Sequence, residues 1–180
     1  MVSDPLVRGD AVSCSRVGGA MRSDAARLLH RQQTLERSLR ELRGARGPRA
    51  QALSGSVGEQ ARLLGLVAAD LDRAGAALQR YATDLAQAME LARRAETSVR
   101  AGGLELDGTG VVEAWGPTSA EAAERRRTLL PECQARVDRA TSMAGRARAT
   151  LQRVAVELVP AFAGAASALR AAPGPPPPSD

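Results

Sequence analysis

The sequence predicts an all-α fold: an elongated antiparallel helical bundle made of a long helical hairpin and a third, kinked helix, with a small β-hairpin inserted. Three observations predict it. First, fourteen positions from Leu53 to Val99 succeed one another at alternating spacings of four and three, and only Gln60 among them is polar. That 3.5-residue period describes one narrow apolar seam on a single long helix. Such a helix is roughly 70 Å long at 1.5 Å per residue, too long for the interior of a compact enzyme domain of this size. Second, Cys14, Gly18, Met21, Ala25, Leu28, Gln32, Leu35, Leu39 and Leu42 repeat the spacing on an earlier helix. Third, the apolar residues are 44% of the chain, yet alanine dominates them and Trp, Tyr and Phe occur once each. A core of alanine and leucine suits close helix–helix contact better than a β-sandwich or a roomy ligand pocket.

Taken in order, residues 1–10 contain Pro5 and Gly9 and are expected to be a flexible lead-in. The first helix starts near Asp10 or Ser13 and ends before Arg43-Gly44-Ala45-Arg46-Gly47-Pro48-Arg49. Glycine ends helices and proline suits only a first helical turn, so this segment is a tight connection between antiparallel helices. Residues 100–117 lose the helical period. Leu104-Glu105-Leu106 alternates, Asp107-Gly108-Thr109-Gly110 reads as a turn, and Val111 to Trp115 is β-prone, which together predict a two-stranded hairpin. Two strands alone are marginal, so the hairpin should lean on the bundle through Leu104, Val112 or Trp115. The third helix covers 118–170. Thr118 and Glu121 stand at capping-box spacing at its start, and Pro131 and Pro160 should kink or divide it. Its seam is Cys133, Val137, Ala140, Ala144, Ala147, Leu151, Val154 and Leu158. Residues 171–180, with four consecutive prolines, are expected to be a disordered, extended tail.

The hairpin layout sets Cys14 and Cys133 at about the height of Tyr81. A disulfide between helices one and three and a pair of small buried hydrophobes both satisfy that arrangement. Helix two beyond Tyr81 then lacks a helix-one neighbour, so either helix three or another chain covers it.

Little in the chain suggests catalysis. His30 is the only histidine and lies on a helix surface far from Cys133. No glycine loop leads from a strand into a helix, so no phosphate cradle is expected. The carboxylates of Asp70, Asp72, Asp84, Glu90 and Glu96 are scattered along one solvated helix. No metal, cofactor or small-molecule substrate is implied. The net charge of +5 comes from 25 arginines and no lysine against 20 acids. These arginines are dispersed and have no interleaved aromatics to stack on bases, so nucleic acid is not expected as a partner. Arg43, Arg46 and Arg49 form the densest basic cluster and Arg125-Arg126-Arg127 the second, as solvated charges or as contacts for an anion. No run of 18 apolar residues occurs, so no membrane span is expected. Met1 to Asp10 lacks the apolar core of a secretory signal peptide.

The two long helices, the Gly-Pro connection and the stretch from Leu71 to Ala88 resemble the WXG-type helical hairpins of actinobacterial type VII (ESX) secretion. The resemblance covers residues 11–99 and implies a non-catalytic protein that pairs with a helical partner or with itself. Gly47 matches the glycine of the family's turn, while Ala45 stands in place of its tryptophan. Leu85 occupies the position, four residues after Tyr81, where the family's export signal has Asp or Glu. The resemblance implies a cytoplasmic protein, or one exported by a signal-peptide-independent type VII route; an intracellular coiled-coil adaptor is the alternative. The partner-binding face expected on helix two is Leu78, Tyr81, Leu85 and Met89. On that reading Leu85→Asp abolishes pairing but leaves the isolated helices intact.

Overall fold

The structure, a computed structural model, describes residues 5–42, 44 and 47–171. It contains helices α1 (Ala11–Leu42) and α2 (Pro48–Ala101), strands β1 (Leu104–Asp107) and β2 (Gly110–Glu113), and helix α3 (Ala120–Ala171). The all-α class with a small β insert is therefore observed. Neither Pro131 nor Pro160 divides α3. The α1–α2 connection contains Gly47 at φ 122°, a left-handed conformation open to glycine. Arg43, Ala45, Arg46 and the expected tail from residue 172 lie outside the described residues.

The helix starts follow local capping chemistry. Asp10 caps α1: its Oδ1 accepts from the Ser13 N–H at 2.9 Å, and its carbonyl from the Cys14 N–H. At α3 the cap is Ser119, whose Oγ accepts from the Ala122 N–H at 3.2 Å. This corrects the expected box, which placed the cap one residue early at Thr118.

The chain divides into two compact units, Met1–Ser15 with Arg80–Leu151, and Arg16–Gln79 with Gln152–Asp180. In the first, the seams of α2 and α3 are closed. Leu85, Ala88 and Ala92 pack with Ala140, Ala144 and Val7. Ala95 and Val99 join Cys133, Val137, Leu104 and Val111 in a second cluster. Val7 is buried there, and the Leu6 N–H donates to Glu96 Oε1 at 3.2 Å. Residues 6 and 7 are thus packed, which corrects the expected flexible lead-in. Their two apolar side chains cover seam that α1 does not reach.

The hairpin pairs Leu104 with Glu113 and Leu106 with Val111. Gly108, with φ 60°, takes the first of two loop positions, where a II′ turn demands glycine. Gln134 ties the hairpin to α3. Its Oε1 accepts from the Val111 N–H at 2.7 Å, and its Nε2 donates to Thr109 O at 3.0 Å. Leu104 and Val111 face inward, whereas Val112 faces out and Trp115 is 100% exposed. Of the expected anchors Leu104 is observed, whereas Val112 and Trp115 are corrected to Val111. Successive strand residues point to opposite faces, and the partner of Leu106 decides which valine is buried.

In the second unit α1 and α2 run antiparallel and meet on small residues. A Cβ on Gly18 would fall 2.7 Å from Gly75 O, and one on Gly75 would fall 2.6 Å from Gly18 O. Backbone meets backbone there, which only glycine permits on both sides. Ala61, Ala68 and Gly75, seven residues apart, are buried on one flank of the α2 seam; Leu63 and Ala77 are buried on the other. Arg73 on α2 reaches Glu157 on α3 at 3.1 Å.

Candidate interaction surfaces

Leu85, the centre of the expected partner face, is 1% exposed. Its isobutyl group lies under Gly9, where a Cβ would come within 2.6 Å of Leu85 Cδ2. Tyr81 and Met89 are half-buried against the same cluster. Leu78 is half-buried beside Gly18. The chain itself occupies this face, so its expected role as a free docking surface is corrected. Leu85→Asp would place a charge in the core and unfold the unit rather than merely release a partner.

Both cysteines are free thiols, Cys133 buried and Cys14 half-buried. Of the two alternatives for the cysteines, the disulfide fails on height. Arg136 Nη1 donates to Ser98 Oγ at 2.6 Å and Leu129 lies beside Gly102, so Cys133 is level with 98–102 of α2. Gly9, five residues before Cys14, is level with Leu85. Thirteen residues of helix separate those levels, roughly 20 Å against the 4.4–6.8 Å that a disulfide allows between Cα atoms. Cys133 is a small hydrophobe of the second cluster.

No group of three or more potential metal ligands occurs among the described residues. His30 is exposed on α1. Two surface hollows are each lined by one helix: Glu90, Arg93, Arg94, Thr97 and Ser98 on α2, and Glu121, Glu124, Arg125, Thr128 and Leu129 on α3. Neither brings together groups from different elements. Arg126 is engaged with Ala114 O at 3.3 Å, and Arg127 lies 3.6 Å from Glu124. Among the ionisable groups, Glu59 is held below its ordinary value of 4.5 by the Arg62 side-chain hydrogen bond, against opposing desolvation and aided by the Arg62 charge. Arg62 is raised correspondingly by the same bond. This is an exposed pair one helical turn apart.

What remains accessible lies elsewhere. On α3, Val156 is 75% and Val159 65% exposed. From Leu158 to Leu169 the sequence has no charged residue and Ser167 is its one polar side chain, so this part of α3 is apolar around most of its circumference. Yet among the residues of this run whose side chains are described, only Leu158 is buried, with Phe162, Ala165 and Ala168 half-buried along the inward seam. A helix apolar on all sides is ordinarily covered on all sides. The signal was legible in sequence as that charge-free run, but seam-counting registers only one face. No helix among the described residues is long and apolar enough to cross a membrane. No protein-family model, curated protein or solved structure matches this chain.

Proposed function

We propose that this protein acts by packing against a helical partner, a cognate protein or a second copy of itself, and performs no catalysis. The observation that carries this reading is the outward face of α3, where Val156 and Val159 stand exposed, Val159 inside the charge-free run that begins at Leu158. Fully covering a valine is worth about 1.5–2 kcal/mol, so two adjacent valines and their alanine neighbours favour association. Gly164 and the surrounding alanines leave room for a second backbone to approach.

Light scattering on the eluting full chain tests the self-pairing form, with V156D/V159D as the variant. A wild-type dimer that becomes monomeric at unchanged helicity supports the reading, and a dimer unaffected by both substitutions removes α3 as the interface. A wild-type monomer removes self-pairing.

We further propose that the chain is a WXG-like component or substrate of type VII secretion, resident in the cytoplasm before export. Its support is the helical hairpin with Gly47 at the connection and the Leu71–Ala88 stretch. Immunoblots of culture filtrate, with and without the secretion ATPase in the producing bacterium, test this. Retention of the protein in both strains would favour the alternative, an intracellular coiled-coil adaptor. That alternative draws on Leu85, which stands where the export signal has an acid.

A further inference from the structure

The segment before α1 is held differently from the rest of its unit. Val7 is buried in the cluster of Leu85, Ala88, Ala92, Ala140 and Ala144, and Leu6 rests against both clusters of the unit. Residues 5–10 belong to no helix or strand. Two apolar side chains and the bond from the Leu6 N–H to Glu96 Oε1 therefore seat a backbone that has no ladder to hold it. Pro5, Arg8 and Gly9 are exposed on either side of that pair. The joint with α1 is Gly9-Asp10: Asp10 caps the helix, and Gly9 has φ 153°. Glycine is required at that joint twice over, by its backbone conformation and by Leu85 Cδ2, which a Cβ would approach to 2.6 Å.

A short segment with few anchors opens without unfolding the elements beneath it. With Leu6 and Val7 lifted away, α2 and α3 stay joined through Ala95, Val99, Cys133 and Val137 and through the bond from Arg136 to Ser98. What is uncovered is an apolar groove at Leu85, Ala88, Ala92, Ala140 and Ala144. We propose that residues 5–9 form a detachable strap, and that the groove takes the same segment from a second copy of this chain. The fit of that occupant is already on view, because an identical Leu-Val pair from another copy meets identical atoms. The strap's own tether gives it a local concentration on the order of millimolar, so the closed form prevails at micromolar chain and exchange grows as copies are crowded together. The exchange uses neither Val156 nor Val159 and does not rest on the packing reading. A monomer in light scattering leaves it standing.

The test is fluorescence anisotropy of a labelled peptide of residues 5–13, titrated with the full chain and with L6D/V7D, whose own strap is expelled by two charges that the groove cannot solvate. The wild type competes against the peptide with its tethered strap, so L6D/V7D should bind about tenfold tighter. Gly9→Ala keeps both apolar side chains and strains only the joint, and should bind about fivefold tighter than wild type. A peptide carrying the same two aspartates should bind none of the three chains. In the wild type the Leu6 amide should exchange with deuterium about a hundredfold faster than those of Ala88 and Ala92, because it opens with the strap alone. Equal binding by the wild type and both variants, or binding by none, overturns the proposal. Exchange of the Leu6 amide in step with α2, or loss of helix from both variants by circular dichroism, also overturns it, since either makes the segment an inseparable part of the core.

Discussion

The unit containing the β-hairpin and the unit containing most of α1 are built from the same kind of helix but closed differently. Around Leu85 and Val137, the least exposed of the larger side chains, branched residues from α2, α3, the hairpin and the N-terminal segment pack together with alanines of α2 and α3. Around Gly18 and Gly75 the two backbones touch, and alanines line much of the contact. The first arrangement draws on buried apolar area; the second draws on close approach, with little area per residue and many carbon–carbon contacts at short range. Charge follows the same division, balanced where the core is thick and in positive excess where it is thin. A thin contact leaves more of each helix facing solvent, and Val156 and Val159 lie on that surface.

The comparison can be broken at its strongest point by truncating Leu85. Leu85→Ala is expected to cost about 3 kcal/mol, through lost transfer energy and the cavity left behind. Leu53→Ala, at a half-exposed position of the same α2 seam, should cost less than about 0.5 kcal/mol. Urea denaturation of the two variants measures the difference, and equal costs would mean that the seam is uniformly closed. The glycine contact comes next. Gly75→Ala should destabilise by about 2 kcal/mol because its Cβ meets a carbonyl that cannot rotate away, although alanine is the better helix former. Gly145→Ala, on α3 with nothing within 4 Å of the added Cβ, should instead stabilise by about 0.5–1 kcal/mol. Opposite signs in the two melting temperatures sharpen the distinction between a packed glycine and an incidental one.

A smaller effect is expected at the hairpin. Gln134→Ala removes the acceptor of the Val111 N–H and the donor to Thr109 O, at a cost of about 1–2 kcal/mol. Hydrogen exchange at the Val111 amide should accelerate while amides in the middle of α2 remain protected. The smallest effect belongs to the Glu59–Arg62 pair. Because its pKa is lowered on folding, the stabilisation from ionised Glu59 is fully present above 4.5 and fades as pH falls through the lower folded value. A carboxyl titration by NMR should place the Glu59 midpoint below 4.5 in the wild type and return it toward 4.5 in R62Q. An identical midpoint in both chains would remove the pair.

The helices, their order and the hairpin were legible in the residues. A seam such as Cys133, Val137, Ala140, Ala144 can be read because a helix returns to the same side every three or four residues. The same periodicity cannot report how many neighbours a helix has. Leu85 was therefore visible as a seam residue, but Val7 as the side chain that closes over it was not. Pro5 and Gly9 suggested a loose segment, and the contact that orders Leu6 is with Glu96, ninety residues away. Trp115 was expected underneath the hairpin because tryptophan is large and apolar. It stands instead two residues beyond the end of β2, fully exposed, while Leu104 and Val111 fill the contact beneath the hairpin.

By itself, then, the sequence determined where the chain is helical, where it turns, and which stripe of each helix avoids water, since these depend on neighbours within a few residues. Tertiary structure alone decided which stripes the chain covers with its own segments and which stay open, among them Val156 and Val159 on α3. Periodicity belongs to one element, whereas burial belongs to two surfaces brought together, and the second surface is often distant in sequence.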